Sequence, residues 1–234
     1  MKPLLVLKCG GAVASEAVGP VLSLRDEGYA VLVVHGAGPQ ISAEMALRGL
    51  RVEFVDGRRV TTPEALAVVR ESLAKVNAAL CAAIGPLAAG FMGDEIGLVA
   101  TRIARLGLVG DPLPCRPAPV LDALGRDRIP VVAPLAMGPL NVNADEAAAA
   151  LAVGLGAERL LFVTDVPGVL LEGGVLPSIG ADEADTLLGN GTFEGGIVPK
   201  LRAAVRAARL GVQSEIGETE ILADARISSR EPLA

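Results

Sequence analysis

Two stretches decide the fold: LLVLKCGG (4–11) and AVLVVHGAGP (30–39). Each is a short apolar run that ends in a glycine turn. Unbroken apolar runs of this length read as strands buried on both faces. A helical stretch spans Ala12 to Glu27 between them, and Gly28 ends it as a C-terminal glycine. A second helix is expected from Gln40 to Arg48. Strand, glycine turn and helix, given twice, are the rhythm of a parallel sheet covered by helices.

The rest of the chain extends this α/β pattern. Asp56-Gly57 between two short runs predicts a hairpin. Pro63 opens a long helix to about Ile84, and residues 87–116 read as short strands and turns. Ile129 to Ala133 and Leu160 to Val163 are further buried strands. Asn143, with Glu146 three residues on, reads as a variant capping box for an alanine-rich helix ending at Leu155. A last helix runs from about Gly196 to Leu210, then two short strands, 213–216 and 219–222.

Composition narrows the function. At 234 residues and 51% hydrophobic, the chain can build a large core without staples. Aromatics at 2% and a net charge of −6 argue against nucleic-acid binding, which uses stacking faces and basic patches. Cys9, Cys81 and Cys115 form no CxxC or His–Cys cluster, so no disulfide framework or metal site is indicated, and a reduced cytoplasmic chain is the plain reading. The uncharged stretch 76–93 holds Asn77 and the Gly85-Pro86 breaker, which argues against a membrane helix. Only four of the 21 basic residues are lysines: Lys2, Lys8, Lys75 and Lys200. A lysine kept in so arginine-biased a chain points to a need for a compact ammonium.

Two of those lysines stand beside glycines. Lys8 precedes Gly10 and Gly11 at the end of the first strand, where parallel sheets bind ligands and glycines admit phosphate. An ordinary turn with a solvated lysine is as good a reading. Lys200 sits in the first turn of the last helix, an end that is already positive, and an anionic ligand would remove that conflict. His35, the one histidine, reads as tying down its own turn. Arg58 and Arg59 both suit a carboxylate, and pattern alone leaves the choice open. Asn143 and Asp145 are explained as cap and dipole partner, which leaves Asn141 needing another reason.

In this order the segments KCGG (8–11), VHGAGPQI (34–41), DGRRVT (56–61), KVN (75–77), NVNAD (141–145), LLFVTDVPGVL (160–170) and GGIVPK (195–200) resemble the amino acid kinase family. DGRRVT, NVNAD and GGIVPK resemble its acetylglutamate kinase branch in particular. The resemblance implies a three-layer αβα sandwich with a mainly parallel sheet, shortened at the C-terminus. It implies ATP-dependent phosphorylation of the side-chain carboxylate of N-acetyl-L-glutamate, a step of arginine biosynthesis, with Mg2+ held mainly by phosphates and water. Residues 1–156 would bind the acyl amino acid and 157–234 the nucleotide. Lys8 and Lys200 would stabilise the phosphoryl group, and Asp145 would orient them. Ala37, Gly38, Arg59 and Asn141 would hold the acid. Gly10 and Gly11, Thr164, Asp165, Val166, Pro167, Gly168, Val169 and Leu170, with Thr192, Phe193 and Glu194, would meet the nucleotide.

Three departures from the family carry expectations. Ala37 replaces a usual glycine and would be strained at positive φ. A helix between the last two strands is missing, which leaves a tight connection there. The chain starts just before its first strand, which implies a homodimer insensitive to arginine. Two other readings are a relative acting on glutamate or an aminoadipate derivative, and a non-catalytic nucleotide-binding regulatory subunit.

Overall fold

The computed structural model describes residues 2–11, 16–164 and 167–223. Asp165, Val166 and the expected helix start at Ala12 lie outside the described residues.

The two deciding strands form as read. β1 (Leu4–Cys9) and β2 (Ala30–His35) pair in parallel, Leu4 opposite Ala30 and Cys9 opposite His35. Between them the described helix α1 is Val18–Asp26, shorter than expected. α2 (Gly38–Leu47) begins two residues before Gln40, because Pro39 suits a first turn. β3 (Phe54–Val55) and β4 (Arg58–Arg59) form the hairpin. Its turn has φ of 52° at Asp56 and 76° at Gly57, the positive pair that a two-residue primed turn requires. α3 (Pro63–Ile84) has the expected bounds: Thr62 Oγ1 accepts from the Ala65 N–H, and Gly85 stops the helix.

The glycine- and proline-rich middle gives β5 (Ala88–Met92), α4 (Gly93–Ile96), β6 (Ala100–Arg102), a 3-10 turn (Ala104–Leu106) and β7 (Val109–Pro112). Then come α5 (Ala118–Gly125), β8 (Ile129–Ala133), β9 (Leu135–Ala136), β10 (Leu140–Val142), α6 (Ala144–Leu155) and β11 (Arg159–Val163). A small hairpin, β12 (Leu170–Leu171) and β13 (Gly174–Val175), precedes β14 (Ser178–Gly180), α7 (Ala181–Gly189) and α8 (Ile197–Arg209). β15 (Gln213–Ile216) and β16 (Thr219–Leu222) close the described chain. Ala181, Ala184, Leu187 and Leu188 turn one face of α7 to the core, a stripe the sequence reading does not single out.

Eight strands make the central sheet, in the order β14-β16-β15-β11-β1-β2-β8-β5. Every neighbouring pair is parallel except β15–β16, which is a tight antiparallel hairpin. The expected loss of a helix between those two strands is therefore what the fold shows. α6 and α8 cover one face of the sheet, and α1 and α3 cover the other. This is the three-layer α/β architecture. β1 lies between β2 and β11, where the chain turns from filling one side of the sheet to filling the other. Ligands of such sheets bind outside the strand C-termini at that switch point. Among the described residues no helix is long and apolar enough to cross a membrane.

Candidate active site

Small side chains bring the site together. α6 buries Ala147, Ala148, Ala149, Ala150 and Ala152, and α8 buries Ala203, Ala204, Ala207 and Ala208. The two helices pack against each other. Their N-terminal turns carry Asp145 and Lys200, which meet beside Lys8 at the end of β1.

Asp145 is the hub. Its Oδ1 lies 2.7 Å from Lys8 Nζ and 3.4 Å from Lys200 Nζ. Burial alone would raise its pKa, but the two ammonium groups outweigh burial and hold the carboxyl below the usual carboxylate range. Lys200 moves the other way for its class. Burial and repulsion by Lys8 lower its pKa despite the attraction of Asp145. The pair thus favours a charged Asp145, whereas burial strains a charged Lys200, and one carboxylate faces two cations. A further negative group would relieve that imbalance.

The expected acid-binding residues face the same space. Lys8, Gly10, Gly11, Ala37, Gly38, Arg59, Asn141, Asp145 and Lys200 all line one cavity of about 320 Å³. Ala37 has φ −147°, so the concern over positive φ at a missing glycine disappears. Gly11 is different: a Cβ would lie 2.6 Å from Gln40 Oε1 and 2.7 Å from the Gly36 carbonyl. Gln40 Nε2 donates to the Gly11 carbonyl at 2.9 Å and so ties the two glycine turns together.

Both arginines line this cavity, and they differ in their partners. Arg58 spends its guanidinium on Glu146, at 2.8 Å, and Asp111, at 3.2 Å. This draws Glu146 to the hairpin, so the capping motif rests on Asn143, whose Oδ1 accepts from Asp145 N at 2.8 Å and Glu146 N at 3.3 Å. Arg59 is buried beneath the hairpin and donates to the Gly38 carbonyl at 3.1 Å and Ser42 Oγ at 2.8 Å. The Phe54 ring covers its guanidinium at 4.6 Å. Asn141 Nδ2 donates to Thr61 Oγ1 at 3.0 Å.

A second cavity, of about 420 Å³, opens alongside. Thr164, Gly168, Leu170, Phe193 and Glu194 line it, and Gly196 and Lys200 line both cavities. Pro167, Val169 and Thr192 stand next to this lining without joining it. Val169 is in the core with its N–H on Thr219 Oγ1 at 2.8 Å. Thr192 bonds to Asn190 Oδ1, and the Pro167 carbonyl accepts from the Glu218 N–H. Asp165 and Val166 lie outside the described residues.

His35 takes the structural role read for it. It is fully buried, its Nδ1 is 3.3 Å from the Gly36 carbonyl and its Nε2 faces Asn77 Nδ2 at 3.1 Å. Burial pushes its pKa down to about 4.

Several lining residues were not among the expected site residues. Phe54, Pro199 and Asn143 join the first cavity. Asn143 Nδ2 donates to the Gly57 carbonyl at 3.1 Å, and Gly57 abuts Pro199. The hairpin is thereby set against the helix that carries Lys200. The GGIVPK spacing could have pointed to Pro199 but not to its partner 142 positions earlier.

Comparison with known proteins follows the same lines. The sequence pattern described as the amino acid kinase family matches residues 3–217. The acetylglutamate kinase of Nocardioides sp. is 43% identical over 236 residues, covering 89% of this chain and 75% of that protein. That of Geobacillus thermodenitrificans is 38% identical, covering 88% of this chain and 86% of its own length. Among solved structures, smu.665 from Streptococcus mutans UA159 superposes with a TM-score of 0.85 at 29% identity, over 96% of this chain and all of that one. Carbamate kinase from Giardia lamblia shares the fold, with a TM-score of 0.72 at 17% identity over 95% of this chain and 99% of that one.

Proposed function

The chain belongs to the amino acid kinase family, and from that premise we propose that it is an acetylglutamate kinase, transferring the γ-phosphoryl group of ATP to the side-chain carboxylate of N-acetyl-L-glutamate. The step serves arginine biosynthesis. One observation carries the reading: Lys8 and Lys200 converge on Asp145 where the two cavities meet.

The chemistry needs what this junction holds. A carboxylate oxygen of the acceptor forms a bond to the γ-phosphorus while the bond to the β–γ bridging oxygen breaks. The products are an acyl phosphate and ADP. The acceptor is already ionised at neutral pH, so no general base is called for. That agrees with a neutral His35 bonded to Asn77. The barrier lies in bringing anions together and aligning them. Lys8 and Lys200 neutralise the moving charge, and Asp145 holds them at fixed separation. Backbone N–H groups at Gly10 and Gly11 face the phosphate. Arg59, Asn141 and the turn at Ala37–Gly38 hold the acid, and residues 1–156 form that lobe. Residues 157–234 supply the nucleotide side, through Thr164, Gly168, Leu170, Phe193 and Glu194.

A nucleotide phosphate fits the residues present. Gly11 leaves room that a side chain would fill, and the two ammonium groups outnumber the carboxylate at the first cavity's floor. Magnesium accompanying ATP would draw its ligands from phosphate oxygens and water, since Asp145 is already taken by two lysines. It would supply charge neutralisation at the phosphates.

The test is ATP-dependent acyl phosphate formation, trapped with hydroxylamine, over a panel of acids. N-acetyl-L-glutamate should give the highest kcat/KM. Preference for free glutamate or an aminoadipate derivative would move the chain to another branch of the family. ATP binding without turnover of any acid would make it a regulatory subunit.

A further inference from the structure

Thr61 is fully buried and bonds to the Asn141 side chain and the Arg59 backbone carbonyl without lining the cavity. Its backbone is fixed from both sides. The Thr61 N–H donates to the Leu106 carbonyl at 2.9 Å, and its own carbonyl accepts from the Leu108 N–H at 2.8 Å. Gly107 lies flat against this crossing, where a Cβ would collide with the Thr61 carbonyl. Leu108 in turn accepts from the Asn141 N–H at 2.9 Å. Thr61 and Asn141, 80 positions apart, are therefore held in one rigid frame.

Within that frame the hydroxyl works as a relay with a direction. A threonine hydroxyl has one proton to give. Here it goes to the Arg59 carbonyl at 2.7 Å. The oxygen can then only accept, and it accepts from Asn141 Nδ2 at 3.0 Å. A flipped amide would set Asn141 Oδ1 against the lone pairs of Oγ1 with no proton between them. The amide is thereby locked with its NH2 toward Thr61, leaving Oδ1 as the acceptor that Asn141 brings to the cavity.

We infer that Thr61 is a positioning residue that sets substrate polarity: by spending its proton on Arg59, it turns the Asn141 carbonyl oxygen toward the N–H of an acylated amine. The inference rests on the proposed N-acyl acid substrate and adds how the chain reads its amide. An ester analogue, with oxygen in place of that N–H, would set a lone pair against Asn141 Oδ1. Losing a donor that a built site expects is punished far more than losing a methyl group.

The test compares N-acetyl-L-glutamate with its 2-acetoxy ester analogue in wild type, Thr61→Val and Thr61→Ser. Valine keeps the volume and removes the relay, whereas serine keeps the relay. Wild type and Thr61→Ser should favour the amide by about tenfold or more in kcat/KM. In Thr61→Val the KM for the acid should rise about tenfold, the KM for ATP should stay within twofold, and the amide preference should shrink to about threefold or less, because the amide is free to flip. A Thr61→Val enzyme that keeps the full preference, or one in which both KM values rise together, would overturn the inference alone. A wild type that phosphorylates no N-acylated acid would overturn the functional reading and this inference with it.

Discussion

Lys8 Nζ sits 2.7 Å from Asp145 Oδ1, with side-chain exposures of only 8% and 9%. A buried carboxylate of this kind stabilises through its partners, and removing its charge strands them. Asp145→Asn keeps the shape but leaves two ammonium groups facing a neutral amide. Stability should fall by about 3–5 kcal/mol, and kcat should fall by about 10² or more as the lysines lose their spacing. Urea unfolding and steady-state kinetics measure both. The sign of the pH effect follows from the lowered carboxyl pKa: the stabilisation is present above the unfolded value of 3.8 and is lost as pH falls through the folded value. Wild-type stability in Asp145→Asn at neutral pH would refute this account of the hub.

Lys200 should behave in the opposite way. Burial and Lys8 lower its pKa, so its charged form costs the fold something below 10.5, and the cost eases as pH rises toward that value. Lys200→Met removes the charge and keeps the stem. The variant should be as stable as wild type or slightly more so, while acyl phosphate formation drops by about 10³. Loss of both stability and activity together would show that Lys200 serves the fold rather than the reaction.

The glycine turns separate in the same manner. Gly11→Ala forces a Cβ to 2.6 Å from Gln40 Oε1 and 2.8 Å from Ala37 Cα, so both turns must shift. It should lose about 1–3 kcal/mol of stability and at least tenfold in kcat/KM for ATP. Gly38→Ala meets nothing within 4 Å, so its stability should stay within about 0.5 kcal/mol of wild type. Thermal melts of the two variants side by side decide this. Equal effects would mean that the Gly11 crowding is absorbed elsewhere.

What the sequence made legible were features whose cause is local. α3 is bounded by Thr62, Pro63 and Gly85, all inside the segment itself. The β15–β16 connection is legible because too few residues separate the strands to hold a helix. The central sheet order was not, because it depends on pairings such as β1 with β11, across more than half the chain. The site divides along the same line. Lys200 announces itself through the charge of its own helix end. Arg58 and Arg59 could not be told apart, because Arg58 answers to Glu146 and Asp111 while Arg59 answers to Ser42 and Phe54. Asn141 lacked a structural reason until Thr61 was placed beside it.

His35 supplies the pH dependence in the mildly acidic range. Its imidazole is fully buried between the Gly36 carbonyl and Asn77, and burial lowers its pKa from 6.5 to about 4. The unfolded chain therefore takes up this proton below 6.5, whereas the folded chain does not until about pH 4. Wherever the unfolded state binds more protons, stability rises with pH. His35 should thus cost the fold about 3 kcal/mol as pH drops through that window, with no further loss below it. Glu146 acts in the other sense, because burial raises its pKa and the folded chain takes that proton first. Glu146 is present in wild type and in His35→Asn alike, so the difference between them isolates the histidine. Urea midpoints measured at pH 7, 6 and 5 should fall steeply for wild type and more gently for His35→Asn, which starts from a lower value because its core is less well filled. Parallel slopes would assign the acid sensitivity to the carboxylates instead.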